Sequence, residues 1–159
     1  RVSTTLAKQL ALYVVIYSPL NMAAGLPQNY EAKPEPFEFI KVVPTDWEET
    51  EVLHARIGDY VTIVRKDRHS EDWYLGSITD ENGRCLEVNL SFLEPNRHYV
   101  AEIYRDGDNA DWEKNPYAMV IERKVVTSLA KLSLRLAPGG GTAIRFHPAK
   151  TANLQQLAK

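Results

Sequence analysis

Lys131-Leu132-Ser133-Leu134-Arg135-Leu136-Ala137-Pro138-Gly139-Gly140-Gly141 is the stretch on which the fold class turns. Leu132, Leu134 and Leu136 alternate strictly with polar residues, which is the period of a strand with one buried face. Gly139 to Gly141 lack the Lys and the Ser or Thr of a phosphate loop, and they precede a further strand signal, Ile144 and Phe146, instead of a helix. The stretch therefore predicts two strands joined by a glycine hairpin. Upstream the same period recurs in Leu53, Ala55 and Ile57, in Val61 and Ile63, from Trp73 to Ile78, and in Leu86, Val88 and Leu90. It continues in Tyr99, Ala101 and Ile103 and in a β-branched run from Met119 to Val126. Asp80-Glu81-Asn82-Gly83 and Asp106-Gly107-Asp108 supply turn chemistry between them. The prediction is a mainly β fold, an antiparallel β-sandwich of about eight strands.

The N-terminal third reads differently. Ser3 or Thr4 can cap a helix in which Leu6, Leu10, Val14 and Tyr17 recur at the helical period. Its second half is apolar all round and needs neighbours on every side, which the short helical pieces elsewhere do not supply. That imbalance predicts missing sequence, and exposed helical surface that favours self-association. The chain opens at Arg1 and looks cut from something longer. Met22-Ala23-Ala24-Gly25 imitates a signal-peptide cleavage site, but Lys8, Gln9 and Pro19 interrupt the apolar run, and a buried helix explains it better. The run is also far short of the roughly 20 residues a membrane span requires. A short apolar segment, Leu20 to Ala24, follows, then a loop with Pro27, Pro34 and Pro36, then a helix around Phe37 to Val42 closed by Pro44. Between Pro44 and Glu51 the period changes to 2, which divides the chain into 1–46, a sandwich at 47–148 and a weakly helical tail at 149–159.

Composition excludes several function classes. With 159 residues there is room for one domain and an appendage, and 19 basic against 21 acidic residues give no field for nucleic acid or an acidic membrane. Cys85 is the single cysteine, so a disulfide framework and a cysteine zinc cluster are both excluded.

Candidate sites are few. A glycosidase needs two converging carboxylates, but Glu48, Glu49 and Glu51 cluster in a linker. Asp80, Glu81, Asp106, Asp108, Asp111 and Glu113 lie in predicted turns, where solvated acids are ordinary. The Asp106 to Asp111 loop resembles a calcium loop until Ala110 falls where a ligand is needed. His54, His69, His98 and His147 have no metal-ligand spacing. No catalytic or metal residue is assigned, and no cofactor is expected in this chain. Trp73, Tyr74 and Trp112 are candidates for stacking on a sugar ring. Trp73 and Tyr74 point to opposite faces of one strand, so one can be core and the other exposed, while Trp47 and Trp112 sit where they can seal the sandwich.

The segment Thr4-Thr5-Leu6-Ala7-Lys8-Gln9-Leu10-Ala11-Leu12-Tyr13-Val14-Val15-Ile16-Tyr17-Ser18-Pro19-Leu20-Asn21-Met22-Ala23-Ala24, followed by Leu26-Pro27-Gln28-Asn29-Tyr30-Glu31, resembles the end of the catalytic barrel in glycoside hydrolase family 97. Asp46-Trp47-Glu48, Gly58-Asp59-Tyr60-Val61, Arg65-Lys66-Asp67-Arg68, Asp72-Trp73-Tyr74-Leu75-Gly76-Ser77-Ile78-Thr79 and Leu136-Ala137-Pro138-Gly139-Gly140-Gly141 resemble that family's C-terminal domain. The resemblance implies that residues 1–46 are the end of a (β/α)8 barrel, as helix, short strand and helix. It implies that the parent is a calcium-dependent α-glucosidase or α-galactosidase of Bacteroidetes type, exported to the periplasm, with its catalytic and calcium-binding residues upstream. It further implies that the sandwich packs on the barrel and supports oligomerisation. Gly25 departs from the pattern, standing where an acidic residue is expected. The expected partners are the rest of its own enzyme and further copies of itself. The competing reading is a carbohydrate-binding sandwich, which would show an exposed aromatic platform.

Overall fold

The computed structural model describes residues 3–22, 28, 31–32 and 34–150. The elements described in full are α1 (Leu6–Val15), α2 (Pro34–Val42), β1 (Trp47–Arg56), β2 (Tyr60–Asp67), β3 (Trp73–Thr79), β4 (Arg84–Asn89), β5 (Tyr99–Asp106), β6 (Met119–Val126), β7 (Lys131–Leu136) and β8 (Gly141–Pro148). They form a six-stranded sheet in the order β1-β2-β3-β8-β5-β6 and a two-stranded sheet of β4 and β7. The strand pairs in both sheets are antiparallel. The expected sandwich of about eight strands is present.

Its connectivity corrects one expectation. β7 and β8 do not form a hairpin: β7 pairs with β4, and β8 pairs with β3 and β5. The glycine turn is a crossover that carries the chain from one sheet into the middle of the other. Short turns join strands that are adjacent in sequence, but sheet pairing is decided by burial, and Leu134 and Leu136 bury across the core from Ile144 and Phe146 of β8.

Both faces of the large sheet are covered. Toward the small sheet, Val64, Trp73, Leu75, Tyr99, Ala101, Ile103, Ile144 and Phe146 meet Val88, Leu90, Leu93, Leu134 and Leu136 in one core. Each fully buried aliphatic or aromatic side chain here contributes about 1.5–3 kcal/mol. On the other face, Leu10, Ala11 and Val14 of α1 and Phe39 of α2 pack with Trp47, Tyr74, Tyr104 and Ala143. Phe39 meets Tyr104 edge-on at 5.2 Å and Trp47 meets Tyr74 at 5.6 Å between ring centroids.

The apolar helix thus finds neighbours within the chain, in the sheet and in Phe39 of α2. Thr5, not Ser3 or Thr4, is the N-cap, its hydroxyl accepting from the Lys8 amide at 3.2 Å. The helix ends at Val15, two residues short of the expected Tyr17, because Arg65 of β2 captures its last carbonyls. Arg65 Nε donates to Val14 O at 2.7 Å and Nη2 to Val15 O at 3.3 Å. A cation at a helix C-terminus is favoured by the helix dipole. α2 begins at Pro34, where a missing N–H costs nothing; residues 20–22 are not strand, and Ala23, Ala24, Gly25 and the tail beyond residue 150 lie outside the described residues.

β1 also differs from expectation. Register shifts at Trp47/Glu49 and Val52/His54 break its alternation, so Ala55 and Ile57 are exposed and Trp47 is its buried residue. Such bulges are common on edge strands.

α1 lies close on β3 because Gly76 leaves room: a Cβ there would stand 2.7 Å from Ala11 O and 2.9 Å from Val14 Cβ. Gly76→Val should therefore push the helix off the sheet and lower stability by about 1–3 kcal/mol, read as a shifted urea midpoint.

Candidate functional site

The crossover from β7 to β8 is a polar joint where five elements meet. Gly139 adopts φ +63°, and a Cβ on it would stand 2.6 Å from Trp112 Cβ. A Cβ on Gly140 would overlap Asp106 Oδ2, and one on Gly141 would press on Ser77 O at 2.7 Å and Lys8 Cα at 2.8 Å. Asp106, at the end of β5, accepts from the amides of Ala137 and Gly141, both at 2.9 Å. Thr5 N–H donates to Gly139 O at 3.1 Å, Gly139 N–H to Asp80 O at 2.7 Å and Thr79 N–H to Gly140 O at 3.1 Å. Lys8 Nζ adds a bond to Thr79 O at 2.6 Å.

Asp106 is 3 % exposed, not the solvated turn acid that the sequence suggested. Burial pushes its carboxyl above the usual range, while hydrogen bonds from the Thr5 hydroxyl and the Ala137 and Gly141 amides work in the opposite direction. Burial likewise lowers the pKa of Lys8.

A second polar feature crosses the helix-side face of the large sheet. Thr50, Arg65, Tyr74, Arg145, Glu102 and Arg123 stand in one register row across its six strands. Arg65 Nη1 donates to the Thr50 hydroxyl at 2.9 Å, and the Tyr74 hydroxyl donates to Val42 O at 3.0 Å, tying α2 to the row. Arg145 binds Asp72 Oδ2 through Nε at 2.8 Å and Nη2 at 2.7 Å, and Arg123 Nε reaches Glu102 at 3.0 Å. Ser70, Glu71, Asp72, Arg97, Arg145, His147 and Lys150 line an open groove beside Arg145 of this row, at the end of β8. Its acids and Arg97 and Arg145 are already paired with each other, so the groove carries no unspent charge from them for an anionic ligand.

The sugar-stacking candidates fall largely in the core. Trp73 is 7 % and Tyr74 2 % exposed, on opposite faces of β3, because the sheet is covered on both sides. Neither ring offers a face to a glycan. Trp112 is half-buried and packs against Gly139, with its amide donating to Pro138 O at 3.2 Å. The strongly exposed aromatic rings among the described residues are Tyr17 and Tyr117, neither of them among the stacking candidates.

The calcium-like loop does not fit a calcium ion. Asp106 is buried with its Oδ2 turned to two amides, Asp108 binds Arg135 at 3.0 Å, and Asp111 Oδ1 accepts from the Glu113 and Lys114 amides, both at 2.9 Å. Among the described residues no group of three His, Cys, Asp or Glu is arranged to hold a metal. His54 is instead bonded to Glu87 O at 2.8 Å and His69 lies 3.3 Å from Asp46.

An apolar strip follows α1: Ile16, Tyr17, Leu20 and Met22 are 55 %, 62 %, 72 % and 81 % exposed. No helix of the described chain is long and apolar enough to cross a membrane.

A family model described as glycosyl-hydrolase 97 C-terminal, oligomerisation, matches residues 46–147. The chain belongs to that family. A retaining α-galactosidase of Bacteroides thetaiotaomicron is 41 % identical over 142 residues, which cover 89 % of this chain and 21 % of that protein. A family 97 glycoside hydrolase from Pseudoalteromonas sp. strain K8, solved in complex with acarbose, superposes with a TM-score of 0.92 at 52 % identity, covering 94 % of this chain and 23 % of that one. A β-arabinopyranosidase structure gives a TM-score of 0.70 at 25 % identity, over 89 % of this chain and 21 % of that one. The chain thus spans about a fifth of the length of these relatives. Like the matched family, it is a C-terminal oligomerisation domain in β-sandwich form.

Two outcomes are expected at the crossover. Asp106→Ala orphans two buried amides and should cost about 2–4 kcal/mol, whereas Asp106→Asn keeps an acceptor for both. Because burial raises the folded pKa, the folded chain holds that proton more tightly than the unfolded chain. Stability from Asp106 should therefore be present at low pH and fall as pH rises through the raised value, a slope that urea titrations of Asp106→Asn should lack.

Proposed function

We propose that this chain is the C-terminal assembly domain of a family 97 α-glycosidase whose catalytic barrel lies upstream of it. The observation that carries the reading is the match of the whole sandwich to the family's oligomerisation domain, together with the α-galactosidase and acarbose-bound relatives. On this reading residues 1–46 are the last barrel elements, and α1 is shared between two units. One side of α1 fills the helix-side face of the sheet, and the apolar strip Ile16, Tyr17, Leu20 and Met22 beyond it meets the barrel. Burial of such a strip against a partner domain is the ordinary remedy for exposed apolar surface.

The parent would hydrolyse α-galactosidic or α-glucosidic bonds with catalytic carboxylates supplied by the barrel, and any calcium would be bound there as well. Export to the periplasm of a Bacteroidetes cell belongs to the same proposal. The described residues of this chain contribute scaffolding, and the row from Arg65 to Arg123 keeps the helix-side face rigid for docking.

Light scattering of the purified chain, with nitrophenyl α-galactoside and α-glucoside assays on the same sample, tests the reading. The expected result is a mass above that of the monomer and no release of nitrophenol. Turnover by the homogeneous chain would show that it carries its own catalytic groups.

A further inference from the structure

The two edges of the large sheet are protected to different degrees. β1 is bulged twice, carries Glu48, Glu49 and Glu51 in close succession, and is tied to β4 through His54 and Glu87 O. Bulges and clustered like charges keep a second strand off an edge. β6 has neither a bulge nor a proline or glycine, and its eight residues run in unbroken register along β5, from Tyr99↔Val126 to Asp106↔Met119. Among the described residues its other side has no strand partner.

The sequence of β6, Met119-Val120-Ile121-Glu122-Arg123-Lys124-Val125-Val126, is close to self-complementary about Arg123. Ile121, Arg123 and Val125 share one face and Val120, Glu122, Lys124 and Val126 the other. An antiparallel pairing of two copies about a two-fold axis through Arg123 sets Ile121 opposite Val125, Glu122 opposite Lys124 and Val120 opposite Val126. Moving the axis by one residue toward Glu122 puts Glu122 on itself and Lys124 on Val120. Moving it toward Lys124 puts Lys124 on itself and Glu122 on Val126. Glu122 stands opposite Lys124 in one register only, the one with its axis through Arg123. In it the two Arg123 side chains meet at the axis, each already neutralised by Glu102 of its own chain at 3.0 Å. Lys124 is 55 % exposed at its side chain and free to turn from its own Glu122 to that of the second copy.

We propose that β6 is the edge through which a second copy of this chain joins, so that one antiparallel sheet runs through both. The proposal rests on the oligomerisation reading above and names the surface and the register for it. Main-chain bonds along β6 give the affinity, and the Glu122–Lys124 exchange gives the register.

A cysteine at the axis tests this directly. Opposed residues of an antiparallel pair have Cα atoms about 4.5–5.5 Å apart, inside the roughly 4.4–6.8 Å that a disulfide spans. In a Cys85→Ser background, Arg123→Cys should give a covalent dimer on mild oxidation, and Val52→Cys on β1 should not. Lys124→Glu, which sets Glu against Glu twice, should raise the dimer dissociation constant about tenfold, and adding Glu122→Lys should restore it. A chain that is dimeric by light scattering, yet gives no Arg123→Cys cross-link and ignores Lys124→Glu, would overturn the β6 surface and leave oligomerisation standing. A chain that is monomeric at every concentration would overturn both.

Discussion

Strand β8 enters the large sheet between β3 and β5, and the arrangement of both sheets follows from that insertion. Without it, β1-β2-β3 and β5-β6 would be two separate ribbons, each too narrow to bury two faces. The entry point is the glycine crossover, where Asp106, Lys8 and Trp112 crowd the backbone so closely that no β-carbon fits at residues 139–141. A buried carboxylate is costly unless its bonds are made; here the amides of Ala137 and Gly141 satisfy Oδ2, while Oδ1 is buried without a hydrogen-bond partner among the described residues. The result is a chain of dependence: β5 ends in Asp106, Asp106 shapes the crossover, and the crossover receives the N-terminus of α1 through Thr5.

The helices are consequently part of the sandwich and not an attachment to it. α1 is held at both ends by the sheet, by Gly139 at its start and Arg65 at its finish, and it lies on a floor of Gly76 and Ala143. Domain 47–148, as bounded by the change of period, contains the sandwich strands, but the described structure buries one of its two faces with residues from before that boundary. The family match starts at residue 46, but the relatives align over nearly the whole chain, so their likeness extends beyond the sandwich into the helix layer.

Much of the fold was legible in the sequence. The limits of β6 and the strands around Trp73, Tyr99 and Leu132 follow from alternation and β-branched content, and the sandwich follows from their number. Pairing was not legible, because a tight turn between Leu136 and Ile144 is compatible with a hairpin or with a change of sheet, and only the position of the second core decides. Asp106 was misread because acids in turns are usually solvated; three successive glycines beside it were the signal that something fills the space of their β-carbons. Arg65 had a signal too, since it continues the Val61, Ile63 alternation onto the helix-side face. Trp73 and Tyr74 were read as one core ring and one open ring, but a sheet covered on both sides buries both. The β6 edge carries no chemistry-bearing motif: the family resemblance and the apolar helix surface both pointed to association, but neither pointed to β6.

Native-state hydrogen exchange of the chain tests most directly whether helices and sheet are one unit. The account predicts that the amides of α1 from Leu10 to Val14 exchange with the same opening free energy as those of β3 and β8. Exchange of α1 at a much lower free energy, with the sheet still protected, would contradict it and return the helix to the status of a detachable appendage.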